Sequence, residues 1–503
     1  MGKYLYWLSL FIFVTPLTGQ NFNRPVPPIF YPYEFISHTV IPGYYLTVPS
    51  KQSLTLESPS FCSIPITIID SNGYVVWYFD NQMVNADFKY YSEHQLFSFT
   101  NAVNKNLTMY YILDVNLSIV DSITNTPNLK PEGHDFQILL NGNYLVSAEK
   151  DTIMNLSNYV LDSIVGGVNT SVESYVIQEF DSNKKLVFEW SSMDHIAPTE
   201  GYSDNYGYNE KAFDYAHGNA IEEDLDGNFL VSMRNLNAIY KIDHHTGNVI
   251  WKLGGRSSDF TFINDLGFSG QHDIRRLPSG KISLFDNGNC AELPKRSRGI
   301  EYELDTIKWT ATRTWQYVHR PSFYARAMGN HQVVNNDYHL INYGNCYRPN
   351  PSIVLIDSLG NLFTEINFTD SVFSYRSFYY DSIPFNFKRP QINCINDGPN
   401  IVLSAPAGYS KYIWSTGETS QSIRINTIDT FQVWVNYGIG MLGSEPFIIS
   451  EMKNLGIDLV KQEEPEFILY YNLLGIETKT PVTGNMYFAT TNDNGKRFLI
   501  IGK

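Results

Sequence analysis

Four histidines hold the same place in repeated units of this 503-residue chain. They are His134 in "GHDFQILLNGNYLV", His217 in "HGNAIEEDLDGNFLV", His272 in "GQHDIRRLPSGKISLFDNGN" and His331 in "NHQVVNNDYHLINYG". Each stands just before a short strand and a tight turn. A lone histidine in such a place is ordinarily a hydrogen-bonded structural residue. Repetition predicts something else: a ring of imidazoles facing one place. Neutral imidazole, with an ordinary pKa near about 6.5, is a nucleophile that adds no charge and a proton carrier at physiological pH.

Elements of a second kind must position this ring. An Asp-containing turn followed by a strand with a large residue alternates with the histidine units. Its copies are "IIDSNGYVVWYF", "YILDVNLSIVDSI", "EFDSNKKLVFEW", "KIDHHTGNVIWKLGG", "EYELDTIKWTATRTWQY" and "LIDSLGNLFTEI". They recur about every fifty to sixty residues with one larger insertion, the period of β-propeller blades. Aromatics make up 15% of the chain, and glycine and proline are spread throughout, which favours short strands and turns over helices. The expectation is an all-β chain built on a six-bladed β-propeller over residues 21–387. A two-sheet sandwich would not explain two alternating motifs at this period.

The ends of the chain read differently. Residues 1–20, "MGKYLYWLSLFIFVTPLTGQ", have the positive start, short apolar core and small-residue exit of a secretory signal peptide. No later segment is long and apolar enough to be a transmembrane segment. The expectation is export through the inner membrane, by way of the periplasm, to the cell surface or medium. After a linker around "SIPFNFKRPQINCINDGPN", residues 388–448 alternate as strands around a tryptophan, as in a small immunoglobulin-like β-sandwich. Residues 449–503 form a further short β unit. The net charge of −15 argues against nucleic acid and anionic membranes as partners. Of the cysteines Cys62, Cys290, Cys346 and Cys394, two fall at matching points of consecutive units, "FDNGNC" and "INYGNC". That placement predicts a Cys290–Cys346 disulfide, with Cys62–Cys394 as the remaining pair.

The segments "FEWSSMDHI", "FDYAHGNAIEEDLDGNFLVSMRNLNAIYKIDHHTGNVIWKLGG", "FSGQHDIRRLPSGKISLFDNGN" and "SRGIEYELD" resemble the PAPS-independent arylsulfotransferases, six-bladed propellers. The resemblance covers most of the propeller in order and spacing. It implies that His272 is the nucleophile, forming a sulfohistidine in ping-pong transfer from an aryl sulfate donor to a phenolic acceptor. It places a second catalytic histidine at His217 with Asn219 beside it, a sulfate-binding arginine at Arg234 and a further site histidine at His134. Neither a nucleotide, a metal nor another cofactor is implied. Chemistry supports these residue types on its own terms. An anionic ester needs an uncharged attacker, a guanidinium opposite the transferring oxygens, and a protonatable group for the phenol that leaves. Residues 449–503 resemble the C-terminal sorting domain of type IX secretion substrates, through "NLLG", "GNMYF" and "GKRFLIIGK". That resemblance implies the type IX secretion machinery as a partner.

Two other readings remain open. One is a non-catalytic surface propeller that binds glycans or protein, for which the imidazoles would be dispensable. The other is a quinone-cofactor propeller dehydrogenase, but neither a regular tryptophan-docking repeat nor adjacent cysteines are present. His195 and Arg298 lie in matching segments and read as structural, and His244 and His245 read as solvated turn residues.

Overall fold

The computed structural model describes the chain except residues 1–19, 22–23, 54–59, 64, 82, 105, 162–163, 166, 203–212, 292, 336, 347–350, 370–371, 398–399, 451–466, 473–476, 479–485, 492–496 and 502–503. The expected signal peptide thus lies almost wholly outside the described residues. The described regular structure is all-β apart from single-turn 3-10 helices.

Six mainly antiparallel sheets carry the repeats. One edge strand of each, in chain order, is β1 (Val84–Tyr91), β2 (Lys130–Ile138), β3 (Gly218–Glu223), β4 (His272–Arg276), β5 (Asn330–Val334) and β6 (Val372–Tyr380). β1 packs against β2, β2 against β3, β3 against β4, β4 against β5, β5 against β6, and β6 back against β1. Contacts among the edge strands therefore close a cycle, a propeller-like arrangement. The sheet of β6 joins distant parts of the chain, because β6 pairs with Tyr44–Ser53, followed outward by Ile66–Asp70 and Val75–Phe79.

The Asp repeat has one physical job. In every sheet the aspartate closes the turn between the third and fourth strands by accepting backbone N–H groups ahead of it. Asp70, Asp114, Asp181 and Asp357 each bind the amides two and four residues on, at 2.8 to 3.0 Å. Asp243 and Asp305 bind those two and three residues on. A carboxylate so placed mimics the backbone and ends one strand as the next begins. Apolar clusters fill the gaps between sheets, one of them built around Tyr175, Trp190, Phe229 and Tyr240.

Residues 388–448 add to a blade edge. Gly440–Gly443 pairs with Val75–Phe79, and Val433–Tyr437 and Tyr412–Trp414 extend the same sheet. Trp434 Nε1 donates to the Val75 carbonyl at 3.1 Å, and Trp77 Nε1 donates to that of Tyr437 at 3.2 Å. A separate three-stranded sheet, Asn393–Asp397, Asn400–Ser404 and Ser422–Ile425, closes a small core around Trp414.

The chain divides into two compact units, one of Met1–Ile425 with Asp429–Ile449, the other of Asn426–Ile428 with Ser450–Lys503. In the second unit Phe467–Asn472 pairs with Glu477–Thr478 and Met486–Thr491, which in turn pairs with Arg497–Ile501.

Candidate functional site

Regular strands would send alternate side chains to opposite faces and would not aim a functional group along the edge. Here the edge strands break register where the chemistry-bearing residues lie. The breaks fall between Pro131 and Phe136 in β2, Gly218 and Ala220 in β3, and His272 and Arg275 in β4. β1 breaks between Ala86 and Lys89. Three non-glycine residues at these places, Asp87, His217 and Asp273, take left-handed backbone conformations with φ of 51°, 46° and 59°. Such bulges bend the strand and re-aim its side chains. Gly218 serves the same end by close approach, since a Cβ there would lie 2.3 Å from the Tyr175 ring.

His272 is buried at the start of β4. Its Nδ1 faces two acceptors, Asn287 Oδ1 at 2.8 Å and the Gly270 carbonyl at 3.0 Å. Its Nε2 accepts the Met328 N–H at 3.1 Å. The proton therefore belongs on Nδ1 and the lone pair on Nε2. Burial, then the charge of Arg234, pushes the imidazole well below its ordinary pKa, against the pull of the Asn287 hydrogen bond. His272 is neutral at physiological pH.

His217 has a different partner. Its Nδ1 donates to Asp214 Oδ2 at 2.6 Å, while its backbone N–H donates to Asp214 Oδ1 at 2.9 Å. His134 is backed by Glu132, which bonds its Nδ1 and also accepts its backbone N–H. The His134 and His217 rings meet edge to face with centroids 5.0 Å apart. Burial, followed by the charges of His217, Arg376 and Arg234, holds His134 well below its ordinary pKa.

Arg234 donates its backbone N–H to the His217 carbonyl at 3.0 Å, which sets the two residues side by side across a hairpin. Its Nη1 donates to Asn235 Oδ1 at 2.9 Å, and its Nη2 lies 3.0 Å from the carboxamide of Asn289, whose oxygen accepts from it when the amide nitrogen is turned toward Tyr324 Oη and the Arg326 carbonyl. Burial lowers its pKa from the ordinary value, opposed by the charge of Asp214. Asn219 is fully buried and donates to the Gln271 carbonyl at 2.7 Å, so it braces the residue preceding His272. The five sequence-predicted residues are thus linked through β2, β3 and β4 and the hairpin after β3.

Beneath them lies a buried ionic layer. Asp135 binds Lys89 at 2.6 Å, Arg275 at 3.0 Å and Arg376 at 3.1 Å, while Asp87 binds Lys89 at 2.8 Å and Arg376 at 3.0 Å. Burial alone would raise the Asp135 pKa, but Arg275, Arg376 and Lys89 outweigh it and hold the carboxyl well below the usual range. Arg376 Nη2 also donates to the Asn219 carbonyl at 2.6 Å, which ties this layer to the histidines. Beside His134 opens a cavity of about 240 Å³ whose walls include Ala86, Ala102, Met328, Phe373 and Tyr375.

The other sequence candidates sit elsewhere. His331 Nε2 and His339 Nδ1 are 2.9 Å apart, with both rings stacked on Trp315. His195 stacks on Trp190, and Arg298 is clamped by Asp286 at 2.8 Å and Asp265 at 3.0 Å. His244, read as solvated, instead reaches Glu179 at 2.5 Å, because its turn folds back onto the neighbouring sheet. The expected Cys290–Cys346 disulfide is not formed. The Cys290 Sγ accepts a hydrogen bond from Asn237 Nδ2 at 3.6 Å, whereas Cys346 packs with Phe285 and Tyr343, so the two turns aim their thiols differently. Cys394 is an exposed thiol, and the side chain of Cys62 is outside the described residues. Sequence reasoning missed Glu132, Asp214, Asn287 and Asn289. The signal was present in "EGHD", "FDYAHGN" and "FDNGN", where a polar partner accompanies each histidine or the arginine.

Residues 124–369 match the profile of the Arylsulfotransferase (ASST) family, a span that holds His134, His217, Asn219, Arg234 and His272. No curated protein matches the chain in sequence. Among solved structures, it is similar at 11% identity to a protein of unknown function from Bacteroides caccae, covering 68% of this chain and 100% of that one with a TM-score of 0.41. For the periplasmic gluconolactonase of Pseudomonas aeruginosa the identity is 8%, the coverage 68% and 100%, and the TM-score 0.36. For a catalytically inactive virginiamycin B lyase of Staphylococcus aureus with quinupristin they are 12%, 75% and 96%, and 0.33.

Proposed function

We propose that this chain, which carries an arylsulfotransferase-family domain over residues 124–369, moves a sulfuryl group from an aryl sulfate to a phenolic acceptor by a ping-pong route through His272. The six sheets are the blades of a six-bladed propeller, and the site lies where their edge strands converge. In the first half-reaction the Nε2 lone pair of His272, released from the Met328 N–H, attacks sulfur. The bond from sulfur to the aryl oxygen breaks, its electron pair goes to that oxygen, and His217 supplies the proton that makes it a phenol. In the second, the acceptor oxygen attacks sulfur, the S–N pair returns to Nε2, and the acceptor's proton passes to His217, which restores its starting state. Arg234 offsets the charge on the transferring oxygens. The cavity beside His134, walled by Phe373, Tyr375 and Met328, suits an uncharged aromatic ring. No nucleotide donor enters this scheme.

One observation carries the reading. A neutral, buried imidazole with a defined lone pair stands beside a buried guanidinium and two carboxylate-backed imidazoles, inside the matched domain. The test is intact-mass analysis after mixing with 4-nitrophenyl sulfate and no acceptor. One added sulfuryl group is expected in the wild type and none in His272→Ala. A wild type without adduct or turnover would favour a binding propeller.

Residues 449–503 serve as the type IX sorting signal of an exported protein, a reading supported by the strings "NLLG", "GNMYF" and "GKRFLIIGK". Removing that segment should leave folded protein in the periplasm. Normal surface delivery of the shortened chain would refute it.

A further inference from the structure

Three histidines of one site have three different residues behind them, and the difference has chemical meaning. Glu132 stands behind His134 and Asp214 behind His217, both carboxylates. Behind His272 stands a carboxamide, Asn287. Its orientation is settled by its other contacts: Nδ2 donates to the Ala325 carbonyl at 2.9 Å and the Met328 carbonyl at 3.0 Å, so Oδ1 is the atom that faces His272 Nδ1. The Asn287 carbonyl accepts from Ser297 Oγ at 2.8 Å, which anchors its backbone. Asn287 is itself fully buried.

Building on the sulfuryl-transfer reading above, we propose that Asn287 is a positioning residue that makes His272 the nucleophile of the site and leaves proton transfer to His217. An anionic orienter stabilises imidazolium and turns a histidine into an acid and base. A neutral acceptor holds the same tautomer without that charge. For a group-transfer nucleophile this matters twice. Nε2 must be unprotonated to attack, and in the second half-reaction it must leave sulfur with the S–N electron pair while Nδ1 keeps its proton. A less basic imidazole leaves more readily. The charged and titratable groups facing His272 point the same way, since Arg234, His134 and His217 all disfavour its protonation.

The same carboxamide orders the segment that marks the attacking lone pair. Met328, held in a left-handed conformation with φ of 65°, donates its N–H to Nε2 at 3.1 Å. Asn287 thus holds both the protonated nitrogen of the ring and the backbone opposite the reactive one.

The experiment uses full-length protein labelled with ¹⁵N-histidine, with the His272 signals assigned by their loss in His272→Ala. Wild type should show His272 protonated on Nδ1 and bare on Nε2 at neutral pH. A proton on Nε2 would overturn the proposal, whatever the activity. Asn287→Asp, checked for folding by its thermal transition, should keep the Nδ1 proton but titrate at higher pH. It should shift the acidic limb of the self-sulfation rate upward by one pH unit or more. It should also slow transfer to the phenol more than it slows adduct formation, so that sulfated enzyme accumulates at steady state. An unchanged limb with an unchanged partition would overturn the proposal. If the wild type forms no adduct, the sulfuryl-transfer reading fails while the tautomer measurement still decides the role of Asn287.

Discussion

Replacing Asp214 by Asn tests whether His217 delivers the proton to the departing phenol. Asp214 accepts both the ring Nδ1–H and the backbone N–H of His217, at 2.6 and 2.9 Å. In Asp214→Asn the backbone contact survives on Oδ1, but an NH₂ now faces Nδ1. The ring must turn its Nδ1 into an acceptor and carry its proton on Nε2 as a neutral imidazole, a poor acid. Hydrogen bonds to charged groups contribute about 1.5–3 kcal/mol. Losing this one from the transition state slows the reaction roughly 10- to 150-fold. The side chain of Asp214 is 19% exposed, which favours the lower half of that range. The assay is kcat/KM across phenyl sulfates of graded leaving-group acidity. Good leaving groups depart as anions and should be nearly indifferent, whereas poor ones should show the full loss, steepening the dependence. A uniform loss across the series, or none, would refute the assignment of His217 as the acid.

Asp135→Asn should cost about 3–5 kcal/mol in urea unfolding, because it leaves Lys89, Arg275 and Arg376 short of a buried carboxylate; a loss below 1 kcal/mol would dismiss the ionic layer as a structural element. Burial pulls the His339 pKa down to about 4, against the pull of Asp357. The unfolded chain therefore binds a proton there from about pH 6.5 downward while the folded one does not. That contribution is intact above pH 6.5 and falls away by about 3 kcal/mol as pH drops to about 4. His339→Gln should flatten this part of the profile of thermal midpoint against pH. Gly218→Ala brings a Cβ within 2.3 Å of the Tyr175 ring and should destabilise by about 1–3 kcal/mol while displacing His217; wild-type stability and turnover would show that this strand has room to spare.

The chemistry-bearing residue types were legible in the sequence because they recur with the period of the fold. His134, His217 and His272 precede like hairpins, so equivalent positions of consecutive sheets had to hold them. The six aspartate turns were legible for the same reason, since each is closed by contacts within five residues. The blade-edge pairing of Gly440–Gly443 with Val75–Phe79 was not, because it joins segments more than 350 residues apart and no local pattern encodes the partner.

The sequence by itself determined the all-β class, the repeat and the set of imidazoles and guanidinium available to a site. Only the tertiary structure decided which nitrogen of each ring is reactive and which histidine differs from the others. The orienting groups lie two residues before His134, three before His217 and fifteen after His272, at Glu132, Asp214 and Asn287. No shared spacing marks them. They reach their rings because the edge strands bulge and the loop Asp286–Asn289 folds back under β4, bringing Asn287 to His272 and Asn289 to Arg234. Cys290 and Cys346 likewise meet different surroundings, Asn237 for the one and Phe285 with Tyr343 for the other, although their places in the repeat are alike. A repeat fixes where a residue stands along a strand, while the direction of its side chain depends on backbone torsions and neighbours that differ from blade to blade.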